Sequence, residues 1–240
     1  MSKVIGKLFL IPNTLGDISP ENVMSYSIRD TIHTIQHFVF EKEKIGRAYI
    51  KRWCPEKLQD DLDIQILNKK TSQKELLQML GPCLSGNNMA LISDAGCPGV
   101  ADPGANLVLI AHQSKVSVCP LVGPSSVLLA LMSSGLNGQQ FAFNGYLPID
   151  KQECKHAIKN FEKISSNNNQ TQIFIETPYR NNRCFELLIK HLSPNTLVCV
   201  VCDLSLPTEF IYTKTVKDWK TSLFDLHKRP SIFLFLRPSV

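Results

Sequence analysis

The sequence predicts an α/β fold built as two α/β domains. Three observations predict it. Short apolar runs recur along all 240 residues, helix-patterned stretches lie between them, and a long Gly/Pro loop stands where one run hands over to a helix. Several runs are continuous rather than alternating, as strands covered on both faces require, so largely parallel pairing is expected.

In chain order, the first set of strands reads Lys7–Ile11, Gln36–Phe40, Met89–Ser93 and Val116–Leu121. The second reads Phe141–Tyr146, Thr171–Glu176, Leu197–Asp203 and Ser231–Leu236. Among the helices, Ser72 and Glu75 form a capping box, each side chain answering the other's backbone amide. It leads into a helix on which Leu76, Leu77 and Leu80 share a face. Ser125–Ser134 follows the Gly123-Pro124 turn and is apolar enough to be buried. Lys151–Lys163 and Asn182–Leu192 carry helical patterns, and Ser165–Gln170 reads as a solvated turn. Glycines at 135, 138 and 145 put a domain junction between 137 and 150, giving domains 1–138 and 139–240.

A hydrophobic fraction of 43% with 20% charged residues excludes a disordered chain and a fibre. No run of 18 apolar residues is present, so no membrane span is expected. The N-terminus lacks the apolar core and small-residue cleavage site of a signal peptide, which points to the cytoplasm. The net charge of +5 is uneven: residues 1–137 carry 13 basic and 12 acidic side chains, residues 138–240 carry 13 and 9. That permits a polyanionic partner without requiring one. Eight scattered cysteines do not make a disulfide framework. The one CxxC, Cys199 and Cys202, falls on a strand, where positions three apart face opposite sides, and no metal site is expected.

The most informative segment is Leu91–Gly104. It holds Gly96, Gly99 and Gly104, Pro98 and Pro103, and Asp94 and Asp102. This is a shaped loop at the carboxyl end of a strand, where open α/β sheets bind ligands. It is longer than a plain β-to-α connection needs. It lacks GxxxxGK[ST], and two carboxylates disfavour an anion, so a small ligand with positive charge fits it better.

That string (SDAGCPGVADPG), with PLVGPSSVLLALMSSGL, FAFNGYLP and FIETPYR, resembles the tetrapyrrole-methylase-fold (class III) S-adenosylmethionine-dependent methyltransferases, most closely the ribosomal RNA small subunit methyltransferase I family. The resemblance runs from about Leu8 to Leu236. It implies two α/β domains with the cofactor cleft between them, S-adenosyl-L-methionine as cofactor, a homodimer, and RNA or the ribosomal small subunit as partner. Three stretches differ from the family's usual strings: Ile11–Asp17, Phe40–Lys44 and Cys202–Leu206. The second keeps only its first acidic residue, Glu41.

On this resemblance the cofactor contacts are Ile11, Asp94, Ala95, Gly96, Cys97, Gly99, Val100, Ser125, Ser126 and Thr177. Ser125 has a second reading as a helix N-cap. Tyr179, Arg180 and Arg183 are candidate substrate contacts, by base stacking and phosphate binding, or else a packed ring and a solvated pair. If the acceptor is a ribose 2′-hydroxyl, a general base helps, and Asp102, Glu176 and Glu41 are the candidates. Lys151, Lys155, Lys159 and Lys163 form a basic helical stripe that suits either an RNA backbone or water. Two other readings stay open: a methyltransferase of this fold acting on a small molecule such as a tetrapyrrole, and a cofactor-binding protein without turnover.

Overall fold

The computed structural model describes residues 4–222 and 224–238. Two compact units divide the chain, Met1–Ser125 and Ser126–Val240.

The first unit runs β1 (Lys7–Ile11), α1 (Tyr26–Thr34), β2 (His37–Phe40), α2 (Glu43–Trp53), β3 (Asp63–Ile66), α3 (Gln73–Met79), α4 (Gly81–Leu84), β4 (Met89–Ile92), α5 (Gly104–Gln113) and β5 (Ser117–Pro120). Its sheet has the order β3-β2-β4-β1-β5 and every pairing is parallel. Alternation along each strand feeds two cores. Ile11, Phe38, Phe40, Ala90 and Ile92 meet Ile28 and Ile32 of α1 and Tyr49, Ile50 and Trp53 of α2. Leu8, Val39, Met89 and Leu91 meet Leu76 of α3 and Leu107 and Ala111 of α5 on the other face. Both faces are covered, which explains the unbroken apolar runs. The Ser72–Glu75 capping box forms as expected. Leu77, expected inward with Leu76 and Leu80, is instead exposed, and Met79 is buried in its place, because the helix stripe follows 76, 79 and 80.

The second unit runs α6 (Ser126–Ser134), β6 (Phe141–Phe143), α7 (Lys151–Asn168), β7 (Thr171–Ile175), α8 (Asn181–His191), β8 (Leu197–Cys202), β9 (Phe210–Thr215), α9 (Val216–Trp219) and β10 (Ser231–Leu236). Its sheet order is β6-β7-β10-β8-β9. Here the expectation of parallel pairing is corrected. Only β6 and β7 pair in parallel, whereas β10 is antiparallel to both β7 and β8, and β8 is antiparallel to β9. The cause is connection length: β8 reaches β9 by a short link with no helix to carry the chain back across the sheet.

Alternation again sorts the core. Val198, Val200, Cys202, Phe233 and Phe235 pack with Cys154, Ile158, Cys184 and Leu188 of α7 and α8. Cys199, Val201, Ile232 and Leu234 pack with Val127, Ala130 and Leu131 of α6. Cys199 and Cys202 therefore lie on opposite faces of the sheet, as the strand reading requires. The packing of α6 on this sheet also places the division between units at Ser125–Ser126, ahead of the 135–138 loop.

Ser165–Gln170 is corrected too: Ser165–Asn168 are the last turn of α7. Ser165 is fully buried, its hydroxyl oxygen accepts the Arg237 amide at 2.9 Å, and the helix ends at Asn169 in the left-handed conformation (φ 49°).

Candidate functional site

In the first sheet β1 and β4 are neighbours whose chains leave in opposite directions. β1 passes to β2 through α1 on one face, and β4 passes to β5 through α5 on the other. The carboxyl ends of these two strands thus mark a topological switch point, the place where open α/β sheets form a crevice. Asn13 and Asp94 sit there.

Hydrogen bonds make the segment after β4 a fixed bend. Asn13 and Gly96 exchange backbone hydrogen bonds at 2.9 and 3.1 Å. The buried Asn13 side chain donates to the carbonyls of Ser93 and Asp94 at 3.1 and 3.2 Å. The Ser93 hydroxyl donates to the Gly96 carbonyl at 2.5 Å. Further on, Asp102 Oδ1 accepts the amides of Gly99 and Gly104, each at 2.7 Å. Gly96 and Gly99 take φ of 69° and 82°, where a side chain is strained. A Cβ at Gly104 would stand 2.8 Å from the Leu91 side chain and 2.9 Å from Asp102 Oδ1, so α5 begins this close to the sheet only with glycine.

Three carboxylates gather here. Burial, and the nearby charges of Asp102 and Asp94, push Glu41 above the usual carboxylate range. Burial also raises Asp102, against the two amides it accepts. Asp94 is engaged by Lys42, whose ammonium donates to Asp94 Oδ2 and is held above its ordinary value mainly by that hydrogen bond. Beside the bend opens a cavity of about 600 Å³, lined by Asn13, Thr14, Lys42, Lys44, Arg52 and Asp94 among others. Its wall includes Tyr49, whose hydroxyl donates to the Pro12 carbonyl at 2.9 Å.

The remaining expected residues fall as follows. Ala95 and Val100 are exposed on the bend, Gly96 is buried within it, and the Cys97 thiol, raised first by burial, donates to the Pro124 carbonyl at 3.4 Å. Ile11 is fully buried in the core, which leaves only its backbone for a ligand. Ser125 precedes α6 and Ser126 opens it. In the second unit, Glu176 follows β7 with its side chain 2% exposed. Its Oε1 accepts the Thr177 amide at 2.7 Å and its Oε2 pairs with Arg180 at 2.7 Å. Tyr179 is 71% exposed and meets His227 edge-on. Arg183 donates to the Ile149 carbonyl at 2.9 Å.

Three contributors escaped the sequence reading: Asn13, which ties β1 to the bend; Lys42, which holds Asp94; and Arg52, whose guanidinium reaches Asp17 at 2.6 Å. The spacing of Lys44, Ala48 and Arg52, four apart on α2, was the available signal for a helix face turned to one cavity. The structure also gathers His33, Cys54 and Glu56, whose ligand atoms lie within 4.8 Å of one another. Arg29 already pairs with Glu56 at 3.0 Å there and supplies the positive charge a metal would bring.

The Glu41 environment gives a pH prediction. A carboxyl raised in the folded state stabilises most below its unfolded value, and that contribution is lost as pH rises through the folded value. Glu41→Gln, which stays neutral, is expected to melt about 2 °C above wild type at pH 7.5 and to converge with it near pH 4. Thermal scans across pH check this; a constant offset at all pH values contradicts the burial argument.

Residues 24–220 match the family Tetrapyrrole (Corrin/Porphyrin) Methylases. The chain is 39% identical over 185 residues to the ribosomal RNA small subunit methyltransferase I of Vibrio cholerae, covering 72% of this chain and 56% of that protein. It is 36% identical over 180 residues to the protein of that name from Halalkalibacterium halodurans, covering 73% and 56%. The chain thus spans little more than half the length of these relatives. Among solved structures, the methyltransferase CobJ superposes with a TM-score of 0.64 at 13% identity, covering 97% of this chain and 94% of that one. The uroporphyrin-III-C-methyltransferase of Thermus thermophilus gives 0.53 at 16%, covering 96% and 92%. At these identities the structural likeness speaks for the fold alone.

Proposed function

This chain belongs to the tetrapyrrole (corrin/porphyrin) methylase family, and from that premise we propose that it is an S-adenosylmethionine-dependent methyltransferase acting on a ribose 2′-hydroxyl of small-subunit ribosomal RNA, in the cytoplasm, as a homodimer. The observation that carries this reading is the braced acidic bend at the switch point. Asp94 and Asp102 put two carboxylates on it, and Ala95 and Val100 are exposed residues of it. Those features suit a methyl donor with positive centres. The name of the sequence relatives is what suggests the acceptor.

When bound, the donor supplies a methyl group activated by its sulfonium. The protein's part is to hold and orient. Asp94 and the backbone of Ala95–Val100 bind the donor, and Asp102 keeps the bend in shape through Gly99 and Gly104. Fixed placement of two reactants supplies much of a transfer reaction's acceleration. Of the three candidate bases, Asp102 Oδ1 is committed to two amides and Glu176 to Thr177 and Arg180. Glu41, pushed above the usual carboxylate range chiefly by burial and engaged by one backbone hydrogen bond, at Asp94, is the one we assign to take the hydroxyl proton.

In the second unit, exposed Tyr179 and Arg183 offer a stacking ring and a phosphate contact, and Lys151, Lys155, Lys159 and Lys163 are all exposed along α7. No helix among the described residues is long and apolar enough to cross a membrane.

The test is methyl-labelled donor mixed with small ribosomal subunits from a strain lacking the gene. Label in a single ribose of the RNA is expected. Label passing to a supplied tetrapyrrole instead would transfer the reading to a small acceptor, and donor binding without transfer would mark a protein that has lost turnover. A light-scattering mass of one chain at micromolar concentration contradicts the homodimer.

A further inference from the structure

The cavity beside the bend carries a charge pattern that the donor site does not explain. Its lining brings three cations, Lys42, Lys44 and Arg52, and two carboxylates, Asp17 and Asp94. Arg52 is answered by Asp17 at 2.6 Å and also donates to the Ile18 carbonyl at 3.2 Å, so this pair is internally settled. Lys42 is answered by Asp94. Lys44 pairs with no acidic side chain among the described residues. The small Ala48 lies between Lys44 and Arg52 on the same face of α2 and leaves the space open. A volume of about 600 Å³ is of the size that holds a compact organic ligand.

Asp94 is also the residue assigned to the donor's positive charge. It cannot serve Lys42 and the donor fully at once. With the donor bound, Asp94 has a new counter-ion, Lys42 keeps only the neighbouring charge of Glu41, and Lys44 faces the cavity with no acidic partner among the described residues. Lys42 is 70% exposed on its side-chain surface while Asp94 is 20% exposed, so the lysine is the partner free to move. One unpaired ammonium group and a second released from its ion pair at the rim of a cavity call for an oxyanion.

We propose that this cavity binds a phosphate of the acceptor strand, with Lys44 as the contact available with or without donor and Lys42 as the contact released from Asp94 when the donor arrives. This deepens the methyltransferase reading and rests on it. Donor and acceptor then favour each other's binding by the same factor, since each stabilises the state in which Lys42 has left Asp94.

The experiment measures binding without turnover. A fluorescent mixed-sequence ribodinucleotide is titrated by anisotropy with and without S-adenosylmethionine, and the donor is titrated separately by calorimetry. For wild type, donor is expected to tighten the dinucleotide about tenfold. Lys42→Met is expected to abolish that gain while binding donor at least as tightly as wild type, because Asp94 is vacated. Lys44→Ala is expected to weaken the dinucleotide about tenfold with donor affinity unchanged, as loss of one charge-assisted contact implies. Donor bound by wild type with no tightening, or tightening that survives Lys42→Met, overturns the coupling and leaves the methyltransferase reading standing. Unchanged dinucleotide affinity in Lys44→Ala overturns the phosphate site. Failure of wild type to bind donor overturns both readings together.

Discussion

Asp102→Ala is expected to weaken S-adenosylmethionine binding about 100-fold. Asp102 Oδ1 is the acceptor for two amides, Gly99 and Gly104, that bracket the second half of the bend. Each hydrogen bond to a charged group is worth about 1.5–3 kcal/mol, and a hundredfold is about 2.7 kcal/mol, so loss of both accounts for the effect even after partial relaxation. The damage spreads through geometry: Gly99 holds φ 82° and Ala101 φ 62°, conformations the chain keeps only while the surroundings impose them. Asp102→Asn retains an acceptor oxygen and is expected to lose about tenfold, from the weaker neutral hydrogen bond. Calorimetric titration decides. A dissociation constant for Asp102→Ala within a factor of two of wild type removes the bend from the donor site.

Phe174→Ala is expected to be the most destabilising of these substitutions, by about 3–5 kcal/mol. Phe174 is fully buried on β7, meets Phe161 of α7 edge-on at 5.2 Å and stacks on Phe235 of β10 at 5.6 Å. Its removal opens a void where one helix and two strands converge, among side chains already fixed by neighbouring rings. At about 2–4 °C per kcal/mol for a chain of this size, the melting temperature falls by about 10 °C. Differential scanning calorimetry measures it; a shift under 3 °C would mean that the core repacks around the gap.

What the sequence disclosed of this fold follows from how each element earns its burial. β1, β4, β8 and β10 are covered on both faces, so their apolar runs were legible. β3 and β9 lie at sheet edges with part-exposed patterns, and Asp63–Ile66 and Phe210–Thr215 mix polar and apolar residues, so neither stood out. The antiparallel pairing of β10 with β7 and β8 depends on where a late strand inserts, which periodicity does not encode.

The site divides in the same way. The bend was legible because its glycines, prolines and Asp102 act within a few residues of one another. The grip of Asn13 on Ser93 spans 80 residues and that of Lys42 on Asp94 spans 52, and contacts at such separations leave no local mark. Glu176 and Arg180 stand out as candidate chemistry, and the structure pairs them with each other, four residues apart between β7 and α8.

In the proposed function the bend at 93–104 holds the methyl donor. A crystal structure determined with S-adenosylmethionine at saturating concentration tests it most directly. Donor density running along the Ala95–Val100 backbone, with Asp94 turned to a positive centre of the donor and Lys42 withdrawn from it, is the predicted result. Density at another place on the chain, or Lys42 still bound to Asp94 with the bend closed on its own side chains, would contradict the account.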